Sequence, residues 1–498
     1  MRLTALVPAL LLGASLTGCA DINVTNPNQQ TAGTFWRNQS DALQAINATY
    51  NGLQYQGTYG RWTSFAFDIR SDIGVSFSPW GDLSQFNKFS LGNYDFEVNA
   101  VLWGDHYKTI FRANQVIDNV PGIAMDAGTK ARIVGEAKFL RALLYTNLAN
   151  LYGNVPLKLN SRDPQDRAPT ATTAQLWTQI EKDLTEAIAV LPAVYNDGSD
   201  KGRATKGAAQ ALLGRVLLQQ RKWTEASTQL STVITSNTYD LIPQYRDNFT
   251  DFASAKNNAE SVFEVQMSNY NPDNGLIGLN YGKFLGPSQI GFNDGTPRRW
   301  YFDLFFRDST ITGKVDPRAE ATFYWNKPDS VGGGNVFGNS FQNRYGPGST
   351  QIFWRKWSAW YKNFQDFDEP INYKVIRFAD VLLMYAEAEN EKPTPNIANA
   401  YTAVNRVRRR AGLRDLPVGL TQATMRDAIL RERLLEFGLE HSRWLDLKRQ
   451  NLLSAANLPA IKANDDEFVN FVVGKSENLP IPQSEINLNT NARQNPGW

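Results

Sequence analysis

The sequence predicts a mainly α-helical protein, a scaffold of stacked helical pairs with one irregular, loop-rich subdomain inserted into it. Two observations carry this. Apolar residues recur at helical spacing over most of the chain, and several of these stripes come in closely spaced pairs. Between residues 240 and 370 the character changes: Pro, Gly, Asn and aromatic density rises, and only short strand-like runs occur, such as Ser261-Val-Phe-Glu-Val-Gln266. That block is too long for one loop, so it reads as a subdomain set into the helical scaffold.

Taken in order, Phe35 to Tyr50 reads as a helix, with Ser40 and Asp41 near its start and Leu43, Ile46 and Tyr50 as apolar positions. Residues 57–98 contain Gly, Pro, Asn and aromatics without helical periodicity and read as a long functional loop. From 99 onward helices dominate. Ile133, Ala137, Leu140, Leu144, Leu148 and Leu151 form one stripe, stopped by Gly153 and Pro156. A further helix covers about 173–191, with Leu176, Ile180, Leu184, Ala187 and Leu191 on one face and Pro192 at its end. The tail after 455 reads as mostly loop.

Two segments add a finer pattern. Ala211-Leu-Leu-Gly-Arg-Val-Leu-Leu-Gln-Gln-Arg-Lys-Trp-Thr-Glu-Ala226 resembles the middle of a tetratricopeptide repeat. There a small residue lets two antiparallel helices approach, and an aromatic packs the following helix. A second such pair runs Ala379-Asp-Val-Leu-Leu-Met-Tyr-Ala-Glu-Ala-Glu389 and then Ala398-Asn-Ala-Tyr-Thr-Ala-Val-Asn-Arg-Val-Arg408. About four such pairs, lined up, make a right-handed helical stack.

Composition narrows the function classes. Lysine and arginine total 51 against 49 acidic residues, so no charge imbalance points to nucleic acid or an anionic membrane surface. The length suits about three domains of ~150 residues, or one large helical domain with insertions. The 13 Trp, 19 Tyr and 27 Phe are numerous enough that several fall in polar, Gly- and Asn-rich segments, where ligands with flat apolar faces and polar rims are a natural match.

The N-terminus reads as an export signal. Arg2 is followed by an apolar run, Leu3 to Leu16, too short to span a bilayer, and then by a small-residue cut point. Leu16-Thr17-Gly18-Cys19 resembles a bacterial lipobox, and Cys19 is the only cysteine, so it is expected to carry the lipid. With no cysteine pair in the chain, disulfides and cysteine-based metal sites are excluded.

Catalytic patterns are weak. Glu432, Glu436 and Glu440 recur every four residues, which places them on one helix face, and Arg431, Arg433 and Arg443 are expected to pair with them. Glycosidase carboxylates flank a bond from opposite sides, so this trio reads as a scaffold element. His106 and His441 are the only histidines and have no zinc spacing; no Gly-x-Ser-x-Gly turn or phosphate loop occurs. Neither a metal nor a cofactor is expected.

Two aromatic-polar clusters remain. The first runs from Arg70 through Asp72 to Trp80 and continues to Asn93 and Tyr94. The second runs from Tyr281 through Phe292 and Asn293 to Trp300. Both combine flat hydrophobes with carboxylate, amide and guanidinium groups, the equipment for stacking a sugar ring and bonding its hydroxyls. Trp354, Trp357 and Trp360, spaced by three, suit either a helix face or a packing cluster.

An ordered set of motifs resembles the SusD/RagB family of outer-membrane nutrient-binding lipoproteins. After the lipobox come Thr34-Phe-Trp-Arg-Asn-Gln-Ser-Asp-Ala-Leu-Gln-Ala-Ile-Asn-Ala-Thr-Tyr50, Arg112-Ala-Asn-Gln-Val-Ile-Asp-Asn-Val120, Glu136-Ala-Lys-Phe-Leu-Arg-Ala-Leu-Leu-Tyr145 and Leu151-Tyr-Gly-Asn-Val-Pro156. Then follow Asp316-Pro-Arg318, Arg377-Phe-Ala-Asp-Val-Leu-Leu-Met-Tyr-Ala-Glu-Ala388, Asn405-Arg-Val-Arg-Arg-Arg-Ala-Gly-Leu413, the Glu432–Arg443 segment and Leu479-Pro-Ile-Pro-Gln-Ser-Glu485.

The resemblance implies a non-catalytic lid that captures an oligosaccharide, or in some members a peptide, for a SusC-type TonB-dependent transporter. It also implies a ligand face built from the loop after the first helix and the inserted subdomain, regions that hold Asp72, Trp80, Phe292 and Trp300. The expected layout is a signal peptide at 1–18, a lipidated spacer at 19–33 and one domain over 34–498. Within that domain, 34–239 and 371–455 form the scaffold, 240–370 the insertion and 456–498 the tail.

Overall fold

The computed structural model describes residues 35–163, 166–269 and 277–498. The signal, Cys19 and the spacer lie outside the described residues. The chain is mainly helical, as its periodicity predicts.

Helix α1 (Gln39–Asn51) is capped by Asn38, whose side chain accepts from the backbone N–H groups of Ser40 and Asp41. Five helices then follow: α2 (Glu97–Asn119), α3 (Ala127–Tyr152), α4 (Thr173–Val190), α5 (Lys206–Gln219) and α6 (Trp223–Thr235). Each from α2 onward packs on its successor. Helix α4 starts with a capping box, Thr172 and Gln175 each satisfying the other's backbone N–H. Small residues set the close approaches. A Cβ at Gly214 of α5 would sit 2.6 Å from the Leu230 side chain of α6, so the glycine is what lets this pair close.

After the insertion come α7 (Phe378–Glu391), α8 (Ile397–Arg410) and α9 (Gln422–Glu436). Helix α7 packs on α6, α8 and α9, so the stack continues across the inserted residues without a break.

Among the described residues the strands form five two-stranded sheets. Five-residue strands Ser261–Val265 and Tyr373–Arg377 pair antiparallel, with Tyr373 opposite Val265, and so draw the two ends of the insertion together. The insertion has a small core of its own around Tyr324, Phe337, Phe341 and Phe353, separate from the main core of the scaffold.

One region differs from the sequence expectation. From Gly57 to Ser76 every residue except Arg61 is buried, in short helical and π-helical turns rather than a wet loop. An element enclosed on all sides needs no amphipathic period, and that is why periodicity missed it. The tail carries short helices at Leu458–Asn464 and Gln483–Leu488 and is pinned to α3, with the Leu479 N–H donating to the Leu151 carbonyl at 2.7 Å.

Candidate ligand-binding site

The two aromatic-polar clusters, some 220 residues apart in sequence, form one structure. Strand Gly74–Val75 pairs antiparallel with Thr296–Pro297. Around this ladder the Ser76 hydroxyl donates to the Asp294 carbonyl and the Ser78 hydroxyl to the Asp294 carboxylate, both at 2.7 Å. The Trp300 indole N–H donates to the Asp72 carbonyl, also at 2.7 Å.

Past the ladder the aromatic rings meet. Trp80, half-buried, lies edge-on to Trp62 at 5.9 Å and to Phe96 at 5.0 Å. Trp62 continues to Phe284, which touches Phe292 at 5.1 Å and Phe367 at 5.2 Å. Phe292 is 52% exposed and Phe367 38%, so the cluster surfaces as an aromatic face.

Polar groups border it. The Arg61 guanidinium lies over Trp62 at 3.4 Å and Phe284 at 3.2 Å, with its Nε buried and unpartnered. Burial lowers its pKa to about 9, against the opposing pull of Asp294 and Glu97. Asn293 adopts a left-handed φ of 54°, which asparagine tolerates better than most residues, and its side-chain carbonyl is also unpartnered. A flat face with unused donor and acceptor atoms can stack a ring and bond its hydroxyls.

Several residues singled out from the sequence serve the scaffold instead. Arg70 is 2% exposed, donates to the Ser476 carbonyl and lies over Trp444. Asp72 is 0% exposed and holds Arg443 through two 2.7 Å bonds. Tyr281 is buried against Thr63 and His441. Trp300 is half-buried and anchors the ladder. Asn93 is exposed and accepts from the Asp95 N–H, while Tyr94 turns edge-on to Trp498 at the C-terminus. Trp80, Phe292 and Asn293 stay with the face. Arg61, Phe284 and Phe367 join it, and only the Arg61-Trp62 adjacency hinted at this in the sequence.

Trp354 and Trp357 are buried packing residues on no common helix, and Trp360 is half-buried.

The glutamates at 432, 436 and 440 are structural, but with partners other than those expected. Helix α9 ends at Glu436, and Leu439 and His441 have φ near 60°, so Glu440 lies in a turn beyond the helix. Five cations (Arg318, Lys356, Arg377, Arg408 and Arg410) meet five carboxylates (Asp316, Glu260, Glu432, Glu436 and Glu440) in one buried network. Glu436 alone accepts from Arg318 and Arg377, each at 2.9 Å, and from Arg410. Burial opposes its charge, but these three guanidiniums outweigh burial and hold the carboxyl well below its usual range.

Arg433 instead pairs with Asp380 and Asp446, Arg443 with Asp72, and Arg431 keeps buried unpartnered nitrogens. Adjacent residues on a helix point about 100° apart, so arginines next to the glutamates in sequence face other walls. The network joins the insertion (Glu260, Asp316, Arg318, Lys356) to the scaffold, and Glu432 and Glu436 are sealed from any substrate.

Residues 259–498 match a family model described as the SusD family, and residues 23–218 match one described as starch-binding, associating with the outer membrane. The chain belongs to the SusD/RagB family. SusD-like protein P25 of Formosa agariphila is 26% identical over 98% of this chain and 97% of its own length. A SusD superfamily protein from Bacteroides vulgatus superposes with a TM-score of 0.80 at 26% identity, covering 93% of this chain and 100% of that one. A laminarin-binding SusD-like protein superposes with a TM-score of 0.74 at 27% identity over the same shares.

In this SusD-family chain the motifs that carried the resemblance have a physical meaning. Asp316-Pro-Arg318, Arg377, Arg408, Arg410, Glu432 and Glu436, scattered over about a quarter of the sequence, all converge on the buried ion network.

Proposed function

We propose that this SusD-family chain captures a glycan on the face formed by Trp80, Phe292 and Phe367 and delivers it, uncleaved, to a SusC-type TonB-dependent transporter. The observation that carries this reading is the joining of the 70–80 and 292–300 segments into one partly exposed aromatic face with unpartnered polar atoms at Arg61 and Asn293. The laminarin-binding relative supports a carbohydrate as the ligand class. The burial and ion pairing of Glu432 and Glu436 support binding over hydrolysis. Stacking and hydroxyl contacts on a wet surface suit the moderate affinity that a lid needs if it is to release its cargo.

The layout that goes with this role is a signal at 1–18, a lipid on Cys19, a spacer to 33 and one domain over 34–498. A single acyl chain binds a membrane only marginally, so stable tethering requires multiple acylation of Cys19.

Purification of the tagged chain from outer membranes in mild detergent tests the delivery role. A TonB-dependent barrel should co-elute; its absence, with the chain itself recovered folded, overturns that role. Incubation with polysaccharides should yield no new reducing ends. New ends abolished by Glu436→Gln, under conditions where that variant keeps its native fold, would make the protein a hydrolase.

A further inference from the structure

A cavity of about 280 Å³ in the insertion, apart from the aromatic face, holds an excess of positive charge. Its charged lining consists of Arg246, Lys327 and Arg355 against a single carboxylate, Glu320. Two guanidiniums share one indole there: Arg355 lies 4.3 Å from the Trp360 ring centre and Arg246 5.7 Å. Glu320 is already engaged, accepting from Lys327 at 2.9 Å and standing 3.8 Å from Arg355.

Donors are left over. The Nε of Arg355 is buried without a partner, and its Nη1 donates to the Glu320 backbone carbonyl at 2.9 Å. Arg246 is 55% exposed, and its ion pair is a 3.5 Å contact with its neighbour Asp247. Burial lowers the Arg355 pKa; Tyr324 and Glu320 oppose this, and the nearby charge of Arg246 adds to the lowering. Like charges held together beside a cavity and an unused buried donor are both relieved by the same thing, an anion between them.

We propose that this cavity is a subsite for an acidic substituent of the captured glycan, a uronate carboxylate or a sulfate ester. The inference rests on the glycan-capture reading above. A sugar is favoured over a free anion because Trp325, half-buried in the cavity lining, supplies a ring to pack against. In addition, Trp360 and Phe367 lie on one short segment of the insertion, which supplies the cavity and part of the aromatic face. The acidic group takes hydrogen bonds from Arg246 and Arg355 while the sugar ring that bears it packs against Trp325.

Isothermal titration calorimetry on the full mature chain tests this with three probes of matched length: an oligogalacturonate, a sulfated galactan oligosaccharide and an uncharged gluco-oligosaccharide. At least one acidic probe should bind about tenfold or more tightly than the uncharged one and weaken as salt rises. Arg246→Gln should remove about that factor for the acidic probe and leave the uncharged one unchanged. Because Arg246 is largely exposed, this variant should fold, and its melting curve checks that.

Whichever acidic probe responds identifies the substituent as carboxylate or sulfate. The subsite is overturned if neither acidic probe binds, or if Arg246→Gln binds both as the parent does. If the uncharged probe fails while an acidic probe binds and responds to Arg246→Gln, the subsite stands and capture of that neutral gluco-oligosaccharide falls.

Discussion

Replacing Glu436 by glutamine tests whether the buried ion network holds the insertion to the scaffold. The side chain is fully buried and accepts from Arg318, Arg377 and Arg410. Glutamine keeps the shape but removes the charge that balances five buried cations against five carboxylates, and it turns an amide donor toward guanidinium donors. Breaking a buried pair by neutralising one partner costs about 3–5 kcal/mol, a large share of the ~5–15 kcal/mol that a protein commonly has.

Urea unfolding followed by tryptophan fluorescence reads this as a lower midpoint. Asp303→Asn, which breaks the exposed pair with Arg299, serves as the control and should change stability by no more than about 0.5 kcal/mol. The sign with pH follows. Because the folded Glu436 carboxyl lies below its unfolded value, its contribution is fully present above the unfolded pKa and is lost as pH falls toward the folded one. The variant should therefore lose stability less steeply in acid. A loss below about 1 kcal/mol at neutral pH would refute the view that charge balance in this network stabilises the fold.

Other outcomes follow from the same structure. His106 is buried, with its Nδ1 2.7 Å from the Leu102 carbonyl, and burial lowers its pKa to about 4. The unfolded state takes its proton first, so unfolding free energy should fall between about pH 6.5 and pH 4, by up to ~1.4 kcal/mol per pH unit from this group, and His106→Gln should flatten that slope. Gly214→Val should push α5 off Leu230 and cost about 1–3 kcal/mol, read by chemical denaturation. Thr172→Ala removes one half of the capping box of α4 and should cost about 1 kcal/mol. The proposed lipidation, which rests on the sequence alone, predicts that Cys19→Ala moves the protein from the membrane to the soluble fraction on cell fractionation.

The scaffold helices were legible because each buries one face, and a one-sided element leaves a 3.6-residue stripe in its sequence. The Gly214 approach was equally plain, since a small residue opposite an aromatic-led helix is local information. Residues 57–76 were not legible: turns buried on every side leave no stripe. Each half of the aromatic face could be found alone, but nothing local pairs Gly74–Val75 with Thr296–Pro297.

Arg70 and Asp72 were misassigned for a related reason. A carboxylate beside aromatics looks the same whether its partner is a sugar or Arg443, 371 residues away. The spacing of Glu432 and Glu436 exposed their shared face, whereas the arginines that meet them come from three other segments.

Glycan binding on the joined aromatic face is tested by calorimetric titration of wild type, Phe292→Ala and Trp80→Ala with laminarin oligosaccharides and a panel of other neutral and acidic glycans. Phe292 is half exposed, so its removal leaves the core intact. At least one glycan should bind the wild type, and both variants should bind it about tenfold or more weakly, Phe292→Ala with unchanged melting and Trp80→Ala with a lower but still cooperative melt, because Trp80 packs on Trp62 and Phe96. Binding that neither substitution alters, or no binding to any glycan in the panel, would contradict the account.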